Sequence, residues 1–350
     1  MQLNKIRILH LLKNLEIGGI ERSTINLSNN LTDELDLIII WAEKGILSHL
    51  MKKSVKLKLI LRNNRIASPL YFLYNFYKLF DIVRSQRVNV IHYHFRIFLP
   101  YLLLIKLFHP SIKIIYTHHS VFNDFITRFL YADYYIAISK VTEAELERNK
   151  KHCIIIKHGI EYPPEKNIPK AKEIKNIGYV GRFNESKGIF TLLRAFHSLT
   201  LERNDLKLFL FGEGEQKSEI VNFINKNTLN NFVYIYPPSS DLSNIYSKID
   251  LLILPSIKLE GFGLVIIEAM SYGIPVIVSD LPVFRETINN LENGLVFKHA
   301  DPIDLKNRII LLIENKSLTE KLVKRAFQTV SRDFNFHQMK WDYLILLESI

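Results

Sequence analysis

Apolar residues in this chain gather in short unbroken runs and seldom alternate with polar ones. Residues 6–12, 37–41, 55–61, 88–91, 112–116, 134–138 and 154–156 form such runs in the first half. Residues 176–180, 206–211, 233–236, 251–254 and 275–278 repeat the pattern in the second. The runs are rich in Ile, Leu and Val and have the length of strands. A strand with one face in water alternates, so a continuous run predicts a strand covered on both faces, as in a parallel sheet between helices. Segments between the runs, such as 189–198 and 264–272, carry apolar residues at helical spacing. The alternation breaks at 161–173, where three prolines and six charges read as a linker, and then restarts. The pattern predicts an α/β protein of two Rossmann-like domains joined by a hinge. Sheets of this kind bind ligands beyond the carboxyl ends of their strands, and two facing domains would enclose a cleft.

Composition supports this picture. A length of 350 residues suits two domains, and 48% hydrophobic with 23% charged residues excludes a disordered, collagen-like or coiled-coil chain. Cys153, the single cysteine, cannot form an internal disulfide, which fits a reducing cytoplasm. The first apolar run is broken by Lys13 and Glu16 with no small-residue cleavage site behind it, unlike a signal peptide. The stretch 97–108 is too short to span a bilayer, which takes about 20 residues.

Charge is distributed unevenly. Residues 1–170 hold 25 Lys/Arg against 14 Asp/Glu, 25 − 14 = +11, and residues 171–350 hold 21 of each, hence zero. The densest part, Lys44, Lys52, Lys53, Lys56, Lys58, Arg62, Arg65 and Lys78, contains no acid. One module therefore faces something anionic. Beside this run, six aromatics lie between Tyr71 and Phe80. A helix so composed is either a core helix, the reading we favour, or an amphipathic one docking on an anionic membrane, where each basic residue adds about 1 kcal/mol. The basic half has no helix-turn-helix, zinc or ribonucleoprotein signature, so nucleic acid is not the expected partner.

Four constellations can carry chemistry. Gly18 and Gly19 follow the first strand and open a helix, where backbone can approach a ligand and the positive end of the helix dipole favours an anion; a plain tight turn would look the same. GRFNESKG follows the strand 176–180 and places Arg182 and Lys187 where two cations can grip a pyrophosphate. EGFGLVIIE, after the strand 251–254, spaces Glu260 and Glu268 around a glycine-containing helix start. Glu268, among apolar neighbours, needs hydrogen-bond partners, which sugar or ribose hydroxyls or an arginine would supply. His92, His94, His118 and His119 follow two further strands; their number suggests zinc, but no further ligand type accompanies them at metal-site spacing, and we expect no metal.

In this order the four constellations resemble the family 4 (group 1) retaining glycosyltransferases of the GT-B fold. GRFNESKG, LFGEGEQ, LPSIKLEGFGLVIIEAMSYGIPVIVSD and ENGLVF carry the resemblance in the second half, and IGGIER, HYH, THHS and IAISK carry it more loosely in the first. The resemblance implies an acceptor-binding domain over 1–163, a linker over 164–174, a nucleotide-sugar-binding domain over 175–332, and a C-terminal helix over 333–350 packing back on the first domain. It implies that Gly18 and Gly19 lie against the donor diphosphate or sugar, and that Arg182 and Lys187 neutralise the diphosphate. It assigns the ribose to Glu268 and the transferred sugar to Glu260, with Phe262, Gly263 and Leu264 shaping the pocket. His119 matches the histidine of the family's T-x-H pattern near the reacting centre.

The implied activity is metal-independent sugar transfer with retention, with a UDP- or GDP-linked sugar as co-substrate and no other cofactor. The implied acceptor is a glycan or a polyprenyl-diphosphate-linked sugar in surface polysaccharide synthesis, at the cytoplasmic side of the membrane. An epimerase-like enzyme with no glycan acceptor, or a non-catalytic basic binding protein, is the alternative. Pro237, Pro238, Ser239 and Ser240 stand where the family often has a glycine-containing loop beside the base, so the base is not readable.

Overall fold

A computed structural model describes residues 3–60, 69–122, 124–147, 153–161, 170–258 and 260–350. Most of the proposed linker, and Arg62 and Arg65 of the basic run, lie outside them. The chain forms two compact units, Met1–His158 with His337–Ile350, and Gly159–Phe336.

The first unit holds a seven-stranded sheet in the order β3-β2-β1-β4-β5-β6-β7, built from β1 (Leu3–Asn14), β2 (Leu35–Glu43), β3 (Lys56–Leu59), β4 (Val90–Tyr93), β5 (Lys113–His118), β6 (Tyr134–Ala137) and β7 (Cys153–Ile155). Every pairing is parallel, as continuous apolar runs require. The strand order reverses direction at β1, between β2 and β4, and sheets of this kind bind ligands beyond their carboxyl ends at such a reversal. Leu9, Ile39, Trp41, Ile91, Ile114 and Tyr116 interlock in the core of this unit.

Helix α2 (Pro69–Ser85) corrects the core-helix reading. It buries only Asn75, Leu79, Ile82 and Val83, whereas Leu70, Tyr71, Leu73, Tyr74 and Tyr77 are exposed. Aromatics occupy both faces, so periodicity alone could not separate the buried face from the exposed one. The neighbouring helix α3 (Leu99–Phe108), linked to it by stacking of Phe72 on Tyr101, exposes Leu103, Leu107 and Phe108. The C-terminal helix Phe336–Glu348 belongs almost entirely to this unit and buries Tyr343 in it.

The second unit holds a six-stranded parallel sheet, β10-β9-β8-β11-β12-β13. Its strands are β8 (Asn176–Val180), β9 (Lys207–Phe211), β10 (Val233–Tyr236), β11 (Leu251–Leu254), β12 (Val276–Ser279) and β13 (Leu295–Phe297). The last of these, three residues long, was not among the strands read from the sequence. Its order reverses at β8, between β9 and β11. Helices Ile189–Thr200 and Pro302–Glu314 cover it with Leu192, Phe196, Leu305 and Ile309, all fully buried. Such side chains contribute about 1.5–3 kcal/mol each by leaving water. The two ends of the second unit pair with each other, Ile160 N–H donating to Phe334 O at 3.0 Å and Phe336 N–H to Ile160 O at 3.1 Å.

Candidate functional site

In the second unit the reversal of strand order brings two sequence motifs together. The loop after β8 carries Arg182 and Lys187, and the loop after β11 carries Glu260. The Lys187 ammonium lies 2.6 Å from Glu260 Oε1, which also accepts a hydrogen bond from Ser256 Oγ at 2.7 Å. Both members of the pair are partly exposed, so its worth lies in placing the charges more than in stability. A lysine has three donors, so two remain for an incoming anion. Arg182 is exposed and forms no ion pair among the described residues; its backbone carbonyl accepts from buried Tyr179 Oη at 2.7 Å, which fixes the loop.

The two loops are locked to each other through backbone. Ile257 N–H and Lys258 N–H both donate to Ser186 O, at 2.9 and 3.2 Å. Gly188 sits at φ +63°, and a Cβ there would run into the Pro255 carbonyl. Gly188→Ala is expected to lower the melting temperature, by about 1–3 kcal/mol in stability. It should also raise KM for the donor by spreading Lys187 from Glu260. Differential scanning fluorimetry with steady-state kinetics checks this, and an unchanged melting temperature would refute it.

Gly263, at φ +91°, starts helix Leu264–Ser271 in a left-handed conformation. Glu268 lies a little over one turn in and is 5% exposed. It accepts a hydrogen bond from Tyr246 Oη at 2.8 Å, and Tyr246 stacks on Tyr272 at 5.0 Å. A tyrosine thus supplies a contact for which arginine was one candidate. Phe262 is buried edge-to-face on Phe334, so its ring faces protein rather than an open pocket, and Leu264 is partly exposed.

In the first unit Gly18 caps helix α1 (Gly19–Asn30) with extended backbone. The Glu21 carboxylate lies where a Gly18 Cβ would be, so this helix end already carries an anion beside it. The predicted histidines divide. His118 is held between Glu145, at 2.9 Å, and Tyr116 Oη, at 3.1 Å. His92, His94 and His119 instead join His10 and His158, which no motif in the sequence marks, in one cluster. His94 Nδ1 is 2.9 Å from His119 Nε2, His119 stacks on His158 at 5.7 Å, and His158 Nδ1 meets Ser23 Oγ at 2.9 Å. His92 is bonded by Tyr343 Oη at 2.8 Å and Thr117 Oγ1 at 2.7 Å. Desolvation holds all five imidazoles neutral: His10 is pushed down to about 3 and His158 to about 4, with His92, His94 and His119 well below the usual value. A cavity of about 30 Å³ is lined by Ser23, His92, His94, His119 and His158 among others, enough for about two water molecules.

Two family models match consecutive stretches of the chain: Glycosyltransferase Family 4 over residues 17–162, and Glycosyl transferases group 1 over residues 163–329. The chain belongs to the family 4, group 1 glycosyltransferases. An uncharacterised glycosyltransferase of Methanocaldococcus jannaschii is 29% identical over 266 residues, 72% of this chain and 73% of that protein. The capsular polysaccharide biosynthesis glycosyltransferase CapM of Staphylococcus aureus is 30% identical over 172 residues, 48% of this chain and 44% of that protein. The crystal structure of Anabaena HepE in complex with UDP and glucose superposes with a TM-score of 0.84 at 18% identity, over 99% of this chain and all of that one. The fold is GT-B.

Proposed function

We propose that this chain transfers a sugar from a nucleoside diphosphate donor to a glycan or polyprenyl-diphosphate-linked acceptor of a surface polysaccharide, with retention and without a catalytic metal. The observation that carries the reading is the meeting of Lys187, Glu260 and Ser256 at the strand reversal of the second unit, with Arg182 on the same loop. Arg182 and Lys187 neutralise the diphosphate, whose negative charge grows as the glycosidic bond breaks; fixed cations stabilise that change. Glu260 orients the sugar, and Gly263 and Leu264 border it. Glu268, held by Tyr246, accepts from the ribose hydroxyls. The acceptor hydroxyl attacks from the face the donor leaves, and its proton passes to the departing phosphate oxygen. Gly18 and Gly19 contact the diphosphate or the sugar, the role the family resemblance implies for them. His119, neutral in its buried cluster, contributes as a hydrogen-bonding group and not as an acid.

HepE's complex with UDP favours a UDP-type donor, and CapM's name favours a capsule-type glycan. The test is a screen of UDP- and GDP-sugars against a pool of lipid-linked and glycan acceptors, read by mass spectrometry for product mass and by proton NMR for anomeric configuration. Inversion, or donor turnover with no transferred product, would overturn the reading. Glu268→Ala is expected to weaken binding of the free nucleotide about tenfold or more, by calorimetry, through loss of a charge-assisted hydrogen bond. Equal affinity would remove the ribose role.

The setting we propose is the cytoplasmic face of the plasma membrane. Among the described residues, no helix is long and apolar enough to cross a bilayer. Leu70, Leu73 and Tyr77 of α2, with Leu107 and Phe108 of α3, are exposed, and Lys78 of α2 lies over the Tyr74 ring. Flotation with anionic vesicles at low salt is expected to carry the protein upward. Leu73→Glu together with Tyr77→Glu should abolish this, and failure of the unaltered protein to float would exclude the membrane setting.

A further inference from the structure

We propose that His10, His92 and His94 form a binding site for one divalent transition-metal ion of the imidazole-preferring kind, zinc foremost. His10 of β1 and His92 of β4 are register partners across adjacent parallel strands, and His94 follows two residues on. All three are buried, and ligand nitrogens of the three lie within 4.8 Å of one another.

The nitrogen geometry favours a metal over a hydrogen bond. His10 Nδ1 and His94 Nε2 are 3.4 Å apart, beyond the usual span of an N–H hydrogen bond. Two metal–nitrogen bonds of about 2.05 Å at the tetrahedral angle place their nitrogens about 3.3–3.4 Å apart. Among the described residues no hydrogen bond holds His10 at Nε2, so ligation through Nδ1 displaces only the long contact to His94.

The surroundings provide the outer partners that ligating histidines use. His94 has its other nitrogen on His119 at 2.9 Å. His92 contacts a hydroxyl at each nitrogen, Tyr343 and Thr117, so exchanging either for the metal leaves the other to orient the ring. The adjoining cavity, lined by His92 and His94, has room for a water as fourth ligand. Three neutral imidazoles without a carboxylate select zinc, cobalt, nickel or copper over magnesium or calcium. The ion would tie β1 to β4 and, through His92 and Tyr343, to the C-terminal helix. It carries no step of the proposed transfer, so either reading can fail alone.

The test uses the full-length chain stripped by a chelator and titrated with cobalt(II), then zinc(II). One equivalent of cobalt should bind with the strong visible absorption of a four-coordinate site, and one equivalent of zinc should displace it and raise the melting temperature. His10→Gln and His94→Gln should each weaken binding tenfold or more, while His299→Gln, exposed in the second unit, should leave it unchanged. The proposal is overturned if the unaltered chain takes up no stoichiometric metal, or if both folded variants keep its affinity. Should those variants not fold, X-ray absorption of the zinc-loaded unaltered protein decides: three imidazole ligands support the site, and fewer, or sulfur, refute it.

Discussion

Arg182→Ala is expected to lower kcat/KM for sugar transfer by about 10²–10³-fold, mostly in kcat. The guanidinium is exposed and forms no ion pair among the described residues, so its removal leaves the fold intact and takes away charge only where charge develops. Lys187→Ala should cost a similar factor for a mixed reason. The Glu260 carboxylate, partly buried, would keep Ser256 but lose its cation, so sugar positioning suffers along with diphosphate neutralisation. Lys187→Arg should recover part of the activity, since it restores the charge with a different shape. The double variant should fall short of the product of the single losses, because both cations act on one phosphate group. Steady-state kinetics with donor and acceptor varied separately checks this; single variants within about threefold of the unaltered enzyme would sink the electrostatic role.

Mild acid is expected to unfold the first unit before the second. Its five clustered histidines have folded pKa values far below the unfolded value of about 6.5. Above that value neither state binds a proton at these rings, and stability is complete. As pH falls below it, the unfolded chain takes up protons that the folded cluster refuses, so stability drops until the folded groups titrate as well. Between pH 6.5 and 5, His10 and His158, with folded values of about 3 and 4, each remove about 2 kcal/mol, and the other three act in the same direction. That is a large part of a domain's total stability. The histidines described in the second unit, His197 and His299, are not buried. Both tryptophans, Trp41 and Trp341, lie in the first unit. Their fluorescence, followed on heating with chelator present, should show a midpoint falling steeply from pH 7.5 to 5.5 while calorimetry retains a later transition. A tryptophan midpoint independent of pH would contradict the buried, neutral cluster.

The fold was legible because its signals are local. Nearly every strand of both sheets follows a run of Ile, Leu and Val, since burial on both faces demands apolarity at every position. Asn176–Val180 and Leu251–Leu254 match to the residue, and only three-residue Leu295–Phe297 escaped, being too short to stand out. Half of the candidate site was equally local. Gly263 and Glu268 are held by one helix start, and Arg182 and Lys187 by one strand-to-helix loop, so their spacing already states their arrangement.

What remained hidden depends on which strand lies beside which. Lys187 reaches Glu260 across 73 residues because β8 and β11 are neighbours in the sheet. His10 and His158 stand far apart in the chain and meet the other histidines only because β1 lies against β4 and the chain returns after β7. Tyr246 gave no sign that it would bond Glu268, since a lone tyrosine in a short helix has many possible partners. Helix α2 carried aromatics all round, and only packing decided that half of them face outward. The sequence by itself determined where strands, turns and charges fall, because backbone sterics and burial act over a few residues. The tertiary structure alone decided which side chains meet, because register and strand order are set by the packing of the whole sheet.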